Sequence, residues 1–456
     1  MKKRSPGIVC LMTFAFCSLF SAQNGTSFNT AVNYTVNSNP SSLAIGDLNN
    51  DGINDIIAAS NHSVGTVSML FAKSGGGFSP SVTRSAGQNY PNYVAIGDLN
   101  GDGKNDFLTS GNNGTYNAVT VGFSNTANNF NLAFFGAGSY INSVAIGDLN
   151  NDGTNDIAVT NQSHNTVSVL LANGIGGFIT KVAYAVGNTP ECVAIGDLNN
   201  DGKKDLVTAN RFGNNVSVLF ANNSGSYDPQ VTYNVGTNPY SVAIGDLNGD
   251  GKNDIVTANN SSGTVSVLLA DGNGGFSPQI TYSVGNNPIC VAIGDLNIDG
   301  KNDIAVANYG SKNVSVLLAD SNGSFASQAT YATGGNNPIS VAVGDLNGDG
   351  TNDIATANYG SDNVSVLTYK VENLSANNAE LTDILIYKKD HNIIINSKHS
   401  KILSLEIYDS SGKKVYTNSR MKINYIDLPA EIFGKQILLL KIITEKGIIT
   451  NKIANY

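Results

Sequence analysis

The chain has 456 residues, a formal net charge of −9, 49 glycines and no tryptophan, and only 13% of its residues are charged. This composition argues against a helical bundle, a coiled coil and a charge-driven disordered chain. Residues 23–369 carry 10 basic and 26 acidic side chains, and so acidic a segment disfavours nucleic acid as a partner. We therefore expect an all-β protein of many short strands joined by glycine- and asparagine-rich turns.

Residues 1–22 have the pattern of a secretory signal peptide. A basic start, from Lys2 to Arg4, precedes an apolar stretch that runs to Phe20, and the small residue Ala22 follows it. We expect cleavage after Ala22; the alternative for this stretch is a short membrane anchor. No later apolar stretch is long enough to span a bilayer, so we expect no transmembrane segment in the mature chain.

The segment Ala44–Asp55 recurs along the chain with small changes. Its copies follow one another at intervals of 49 to 51 residues, counted between their leading aspartates Asp47, Asp98, Asp148, Asp197, Asp246, Asp295 and Asp345. A period near 50 residues, with short strands inside each unit, is typical of a propeller blade rather than of a helical solenoid unit. The repeat therefore predicts seven blades.

Each unit contains four strand signals, and the ends of the array predict that the ring closes. In the fifth unit the signals are Ser241–Gly245, Asp254–Ala258, Thr264–Leu269 and Pro278–Val284. The last unit lacks a fourth strand after Leu367, whereas residues 28–36 look like a fourth strand placed before the first unit. We predict that this N-terminal strand completes the seventh blade, so that residues 23–369 form a closed seven-bladed β-propeller.

Two cysteines remain after the predicted cleavage, and they occupy the same position of two units. Cys192 and Cys290 each precede a Val-Ala-Ile-Gly-Asp segment, two units apart. Equivalent positions in non-adjacent units of a ring do not favour the Cα separation below about 7 Å that a disulfide needs. We expect two packed thiols and no disulfide.

The loop after each first strand reads Asp-x-Asn-x-Asp-Gly-x-x-Asp. Positions 1, 3, 5 and 9 supply side-chain oxygens, position 7 offers a backbone carbonyl, and the glycine at position 6 permits a sharp turn. Three carboxylates so close repel by roughly 4 kcal/mol per close pair at an effective dielectric constant near 20. Oxygen ligands without histidine or cysteine indicate calcium. The alternative is a set of solvated Asp/Asn/Gly turns.

The prediction is up to seven structural calcium ions, one in each aspartate loop. The predicted ligands are, loop by loop, Asp47, Asn49, Asp51, Ile53 and Asp55; Asp98, Asn100, Asp102, Lys104 and Asp106; Asp148, Asn150, Asp152, Thr154 and Asp156; Asp197, Asn199, Asp201, Lys203 and Asp205; Asp246, Asn248, Asp250, Lys252 and Asp254; Asp295, Asn297, Asp299, Lys301 and Asp303; and Asp345, Asn347, Asp349, Thr351 and Asp353.

The repeated motif Asp-Leu-Asn-x-Asp-Gly-x-x-Asp resembles the FG-GAP/VCBS repeat, and the resemblance covers residues 28–367. It implies a seven-bladed propeller of the integrin-α type, in which the loop between the innermost strand and the second strand binds calcium. An EF-hand loop begins similarly but needs an acidic ligand at position 12, where the first loop has Ala58. Strands rather than helices flank each loop, which also disfavours the EF-hand.

The opposite face of the propeller is the expected ligand face. Its 2–3 loops include His62, His164, Arg211, Phe212, Tyr309 and Tyr359, and its 4–1 connections include Tyr90, Tyr93, Tyr140, Glu191 and Tyr240. Such groups can stack on sugars or grip a protein loop, as the resemblance to integrins also implies. We expect a binding or adhesion module for a protein or a glycan, and no enzyme. The alternatives are ordinary solvated loops, a polysaccharide lyase-like enzyme on the same propeller, and a structural surface component that self-associates.

Composition changes after Lys370. A predicted linker at 370–380 leads into residues 381–456, where lysine and isoleucine are frequent and six strand signals predict a small β-sandwich. The segments 407–415, 426–428 and 440–453 resemble the type A C-terminal sorting domain of the type IX secretion system. The resemblance implies export to the surface or medium of a Gram-negative bacterium, with the secretion machinery as a partner. The alternative is an ordinary accessory β-domain.

Overall fold

The computed structural model describes residues 28–111, 118–125, 129–320, 323–370, 384–389, 392–398, 400–409, 413–434, 436–445 and 447–455. These residues separate into two compact units, with the boundary between Tyr369 and Lys370. The predicted signal peptide and nearly all of the predicted linker lie outside the described residues. Strands dominate both units. Each unit also contains one short 3₁₀ turn among its described residues, at Gln162–His164 in the first and at Ala430–Phe433 in the second. In the described part of the chain, no helix has the length and apolarity to cross a bilayer.

Seven antiparallel four-stranded sheets form the first unit. Blades 1 to 3 consist of β2 (Pro40–Gly46), β3 (Asp55–Ser60), β4 (Thr66–Leu70) and β5 (Val82–Ser85); β6 (Pro91–Gly97), β7 (Asp106–Gly111), β8 (Ala118–Ser124) and β9 (Phe130–Gly136); and β10 (Ile141–Gly147), β11 (Asp156–Asn161), β12 (Thr166–Ala172) and β13 (Phe178–Ala185).

The remaining blades repeat the same order. They consist of β14 (Pro190–Gly196), β15 (Asp205–Asn210), β16 (Asn215–Leu219) and β17 (Val231–Asn234); β18 (Pro239–Gly245), β19 (Asp254–Asn259), β20 (Thr264–Leu268) and β21 (Ile280–Ser283); β22 (Pro288–Gly294), β23 (Asp303–Asn308), β24 (Asn313–Leu317) and β25 (Ala329–Ala332); and β26 (Pro338–Gly344), β27 (Asp353–Asn358) and β28 (Asn363–Leu367) with β1 (Val32–Thr35). First strands lie side by side around the axis, and β26 contacts β2 to close the ring.

The N-terminal strand completes the seventh blade, which confirms the predicted closure. Strand β1 pairs antiparallel with β28, from Val32 opposite Val366 to Thr35 opposite Asn363. Phe28 forms a further antiparallel bridge with Tyr369. This pairing covers the edge of β28, which would otherwise present unpaired N–H and C=O groups.

Aromatic pairs join neighbouring blades around most of the ring. An aromatic residue of the fourth strand meets, edge to face, an aromatic residue at or just before the start of the fourth strand of the next blade, which is a favoured ring geometry. The pairs, with ring-centroid distances in parentheses, are Phe135–Phe178 (4.9 Å), Tyr184–Tyr227 (5.1 Å), Tyr233–Phe276 (5.3 Å), Tyr282–Phe325 (5.4 Å), Tyr331–Phe28 (5.2 Å) and Tyr34–Phe78 (5.2 Å). The N-terminal segment supplies one partner to each of the last two pairs.

In six of the seven blades, the third residue of the first strand links one innermost strand to the next. The Ser143 hydroxyl accepts a hydrogen bond from the Val193 amide at 3.3 Å, and the Cys192 thiol contacts the Val242 carbonyl at 3.8 Å. The same contacts recur from Ser42, Ser241, Cys290 and Ser340. Both cysteines are free thiols, as the sequence predicts.

The second unit has seven strands in two sheets. They are β29 (Ile384–Lys389), β30 (Asn392–Ser397), β31 (Ile402–Tyr408), β32 (Lys414–Ile423), β33 (Tyr425–Pro429), β34 (Gln436–Thr444) and β35 (Gly447–Asn455). The sheet orders are β29-β30-β33 and β32-β31-β34-β35. Both sheets contribute to one apolar core, for example through Ile395 and Leu440, so this unit is the small β-sandwich that the sequence predicts.

Candidate functional site

Each aspartate loop lies between the first and second strands of a blade. Its side-chain oxygens accept hydrogen bonds from backbone N–H groups of the same loop. In blade 1 the Asp47 carboxylate accepts hydrogen bonds from the amides of Asp51 (3.1 Å) and Gly52 (2.8 Å). The Asn49 side-chain oxygen also accepts from the Asp51 amide, at 2.9 Å. The position-6 glycine has a positive φ in every loop, 87° at Gly52, which other residues rarely adopt. The turn that the sequence predicts at this glycine is present.

The aspartate at position 9 also has a structural role that was not predicted from the sequence. Asp55 is fully buried, and its carboxylate accepts hydrogen bonds from the Leu48 amide at 3.0 Å and the Ala72 amide at 2.8 Å. It therefore ties the aspartate loop to the chain just after the third strand. The equivalent pair of bonds recurs in the other six loops, through Asp106, Asp156, Asp205, Asp254, Asp303 and Asp353.

Burial leaves the position-9 carboxylates with uncompensated negative charge. It raises the pKa of Asp55 to about 6, although the two amide donors oppose the shift, and the charges of Asp51 and Asp47 raise it further. Burial likewise raises the pKa of Asp303 and of Asp353 to about 7. A nearby cation would remove this penalty, because an opposite charge favours the ionised form.

The donor chemistry of the loops fits calcium. Positions 1, 3, 5 and 9 present only carboxylate and amide oxygens, each with a second lone pair beside the hydrogen bond it accepts. Among the described residues, however, no three His, Cys, Asp or Glu side chains converge as a preformed metal centre. A calcium ion would therefore have to draw the position-1, position-5 and position-9 carboxylates closer together.

Lysine at position 7 distinguishes four of the loops. The Lys203 ammonium lies 2.9 Å from the Asp201 carboxylate, and Lys104, Lys252 and Lys301 make the equivalent contact at 3.8, 3.2 and 3.3 Å. These pairs are partly exposed to solvent, so each contributes little to stability. In the other three loops position 7 is Ile53, Thr154 or Thr351.

In six of the seven blades, an asparagine at position 8 links the aspartate loop to the loop of the preceding blade. The Asn302 side chain donates a hydrogen bond to the backbone carbonyl of Asp246 at 2.9 Å, and Asn54 closes the ring by donating to Asp345 at 3.0 Å. The same bond recurs from Asn105, Asn155, Asn253 and Asn352. Blade 4 differs, because its position 8 is Lys204, which cannot make this amide contact. The sequence signal for this contact is an asparagine at position 8 in six of the seven repeats.

This ring of amide bonds leads to a paired prediction. Replacing Asn302 with Ala should lower the free energy of unfolding by about 1 kcal/mol, the usual net value of one such hydrogen bond. Replacing Lys204 with Asn should raise it by a similar amount, because the missing link to the Asp148 carbonyl would form. Urea unfolding midpoints measure both. A Lys204→Asn variant that is no more stable than the parent chain contradicts the proposed ring.

The face opposite the aspartate loops carries most of the predicted ligand residues, with one correction. Tyr90, Tyr140 and Phe212 are 42%, 51% and 57% exposed, and His62 and His164 are also exposed. Tyr93 differs, because it occupies the third position of its first strand, among the hydroxyls and thiols around the axis. Burial raises its pKa well above the usual range, with Cys192 and Cys290 nearby. Tyr93 is therefore a partly buried residue near the axis, packed against the apolar core, and not part of the exposed ligand face.

One cluster on this face joins blades 3, 4 and 5. The Glu191 side chain is only 8% exposed and accepts hydrogen bonds from Arg211 (3.2 Å), Gln162 (3.1 Å) and Asn142. The Arg211 guanidinium lies over two aromatic rings, 4.6 Å from the centroid of Tyr240 and 4.8 Å from that of Phe212. We call Asn142, Gln162, Glu191, Arg211, Phe212 and Tyr240 the Glu191 cluster.

The repeat region belongs to a known family. The model of the FG-GAP-like repeat matches residues 47–109, 98–159, 148–208, 197–257, 246–306 and 295–356. These overlapping matches run from Asp47 to Thr356, which is more than half of the chain, so the protein belongs to the FG-GAP-like repeat family. Residues 372–455 match the model of a domain of unknown function, DUF8694. No curated protein sequence matches the chain.

Solved structures support the propeller fold. BBS1N, in a crystal of its complex with ARL6DN, is 11% identical with a TM-score of 0.55, over 76% of this chain and 98% of that one. A candidate 6-phosphogluconolactonase from Bacteroides fragilis is 18% identical with a TM-score of 0.50, over 66% and 86%. A protein of the same description from Bacteroides uniformis is 17% identical with a TM-score of 0.50, over 66% and 87%. Identities this low show the fold alone.

Proposed function

We propose that the protein is an exported, calcium-stabilised propeller that acts as a binding module through the face opposite its aspartate loops. One observation supports this most strongly. The seven aspartate loops keep the same residues at positions 1, 3, 5, 6 and 9 and the same hydrogen bond from the position-6 amide to the position-1 carboxylate, whereas the opposite face breaks the repeat at the Glu191 cluster. A scaffold needs repetition, and a specific binding site needs a place where the repeats differ.

Calcium is the proposed stabiliser of the scaffold. The loops hold 21 of the 26 acidic side chains of residues 23–369, and seven divalent ions would move the charge of that segment from −16 to −2. Oxygen-only donors suit calcium, and extracellular modules bind it at roughly 10⁻⁴–10⁻³ M. The raised pKa values of the buried position-9 aspartates support the same proposal, since a cation would relieve their burial.

A lyase-like enzyme is less well supported by the same cluster. Proton abstraction needs a side chain that can accept a proton near neutral pH. Burial raises the pKa of Tyr240, so its phenol stays protonated, and three donors already occupy Glu191. The candidate lactonases share the fold at low identity, which supports no lactonase site here. Binding is therefore the function that the geometry supports best.

Export completes the proposal. The signal-peptide pattern of residues 1–22 directs the chain out of the cytoplasm, and the sandwich of residues 381–456 is proposed to act as a type IX sorting domain. The mature protein would then lie at the outer-membrane surface of a Gram-negative bacterium or in the medium. The match to a domain of unknown function is compatible with this role and adds no activity to it.

A face-blocking experiment tests the binding proposal. Cysteines are introduced on opposite faces of blade 3, as Ser163→Cys beside the Glu191 cluster or Ile175→Cys on the aspartate-loop face, both at exposed positions. Each variant is coupled to a bulky maleimide polymer and applied to an array of glycans and matrix proteins with calcium. We expect the polymer at residue 163 to abolish binding and the polymer at residue 175 to leave it unchanged.

All variants lack residues 1–22, and the same chain without an introduced cysteine is the control, since its two native thiols are packed at the axis. Binding that survives the polymer at residue 163, or that is lost only with the polymer at residue 175, contradicts the proposed ligand face.

A further inference from the structure

The Glu191 cluster occupies positions that are unremarkable in the other blades. Glu191 and Tyr240 are the second residues of their first strands, where the remaining blades have Ser41, Asn92, Asn142, Ile289 and Ile339. Arg211 directly follows the second strand of blade 4, where blades 1, 5, 6 and 7 have Asn61, Asn260, Tyr309 and Tyr359. Because those equivalents build the same fold without a charge, folding alone does not require the Glu191–Arg211 pair.

The charges of the cluster cancel each other. The Arg211 guanidinium lies 3.2 Å from the Glu191 carboxylate, so the centre of the cluster is polar without a net charge. The propeller around it is acidic, with 26 acidic and 10 basic side chains in residues 23–369. The proposed calcium ions would offset most of that charge on the opposite face, so the site as a whole offers a charged ligand no net attraction. The occupant that suits this electrostatic setting is uncharged.

The cluster also contains hydrogen-bond donors that have no acceptor within it. The Nε atom of Arg211 is buried and has no partner among the described residues, whereas the guanidinium carries five N–H donors in all. The Arg211 side chain as a whole is 30% exposed, so the solvent-facing N–H groups of its guanidinium can donate to the oxygen atoms of a ligand. Glu191 accepts three bonds and has capacity for one more, so the cluster offers donors and an acceptor to one ligand.

Exposed aromatic rings border the cluster. Phe212 is 57% exposed and packs beside Arg211. Tyr140 is 51% exposed, and its backbone carbonyl accepts a hydrogen bond from the backbone amide of Gln162. Rings open to solvent beside fixed donors and acceptors suit sugar rings, which present an apolar C–H face and a rim of hydroxyl groups.

We infer that the Glu191 cluster binds a neutral oligosaccharide, with Phe212 stacking on a sugar ring and Arg211 donating to its hydroxyl oxygens. This inference rests on the proposed function, since it names the ligand class of the same face. Arg211 is the residue that determines specificity, because its planar fork both stacks on Tyr240 and donates hydrogen bonds.

A glycan array with matched variants tests the inference. The chain without residues 1–22, in calcium, is applied to neutral and acidic oligosaccharides together with Phe212→Ala, Arg211→Lys and the control Phe134→Ala, an aromatic residue of similar exposure on the outer strand of blade 2. We expect binding to neutral oligosaccharides that both cluster variants weaken at least ten-fold and that the control leaves unchanged. Phe212 is mostly exposed, so its variant should keep the parent melting temperature.

The outcomes separate the two claims. Binding only to acidic glycans, or neutral binding that Phe212→Ala and Arg211→Lys leave intact, overturns the inference. If the array shows no bound glycan but a matrix protein binds and Phe212→Ala releases it, the ligand class is wrong and the proposed binding face stands. If every bound probe is indifferent to both cluster variants and to the polymer at residue 163, both claims fail.

Discussion

Deleting residues 23–36 is expected to lower the free energy of unfolding by at least about 5 kcal/mol and to make the protein self-associate. The deletion removes two buried apolar side chains, Phe28 and Val36, and truncating a single buried phenylalanine commonly costs 3–5 kcal/mol. It also removes Tyr34, so that two of the aromatic contacts between blades are lost. Strand β28 becomes an open edge, which is a template for pairing with a second chain.

Size-exclusion chromatography and urea unfolding measure this effect, and a peptide supplies the control. A synthetic peptide of residues 28–38 should restore the monomer and part of the stability when added to the shortened chain, because it can pair with β28. A scrambled peptide of the same composition should not. A shortened chain that stays monomeric and unfolds at the parent urea midpoint contradicts closure by the N-terminal strand.

The architecture could be predicted from the sequence because its determinants are local and repeated. A period of 49 to 51 residues, the strand signals within each unit and the missing last strand were sufficient for seven closed blades. Strand limits were predicted less well at the outer edge of the blade. The fourth strand of blade 5 was expected at Pro278–Val284, whereas β21 pairs only from Ile280 to Ser283, because it has a neighbour on one side only.

The contacts that join blades could not be predicted in the same way. Glu191 meets Asn142 and Gln162 of the preceding blade, 49 and 29 residues earlier, and only the ring geometry brings them together. Asn302 reaches an aspartate carbonyl 56 residues away for the same reason. A comparison of the second residue of the first strand in all seven repeats would have identified Glu191 and Tyr240 as exceptions. It would not have shown that Arg211 lies between them.

The aspartate loops were recognised by residue type, but their hydrogen bonds were not. Spacing identified which oxygens could bind a cation, and the glycine at position 6 explained the turn. The sequence had no signal that Asp254 also accepts the amides of Leu247 and Ala270, because Ala270 lies 16 residues later, beyond the third strand. A carboxylate that serves both the loop and the third strand couples the predicted cation site to the interior of the blade.

Removing calcium is expected to have the largest effect on stability. At a calcium concentration about ten times the dissociation constant, each independent site contributes about 1.4 kcal/mol, and seven sites contribute about 10 kcal/mol. That sum is comparable to the whole stability of a typical domain. Without the ion, the carboxylates of each loop repel one another and the buried position-9 aspartates lose their proposed counter-charge. Magnesium should not substitute, since it is smaller, demands octahedral geometry and gives up its water reluctantly.

The repeated loops are proposed to be cation sites that stabilise the ring, and a thermal melt is the first experiment to test this. The chain without residues 1–22 is melted with 2 mM calcium, with 2 mM magnesium and with excess EDTA. We expect the melting temperature to be far higher in calcium than in EDTA. The melting temperature in magnesium should be close to that in EDTA. Identical melting temperatures in all three solutions would contradict the claim and leave the 21 loop aspartates as turn-forming residues.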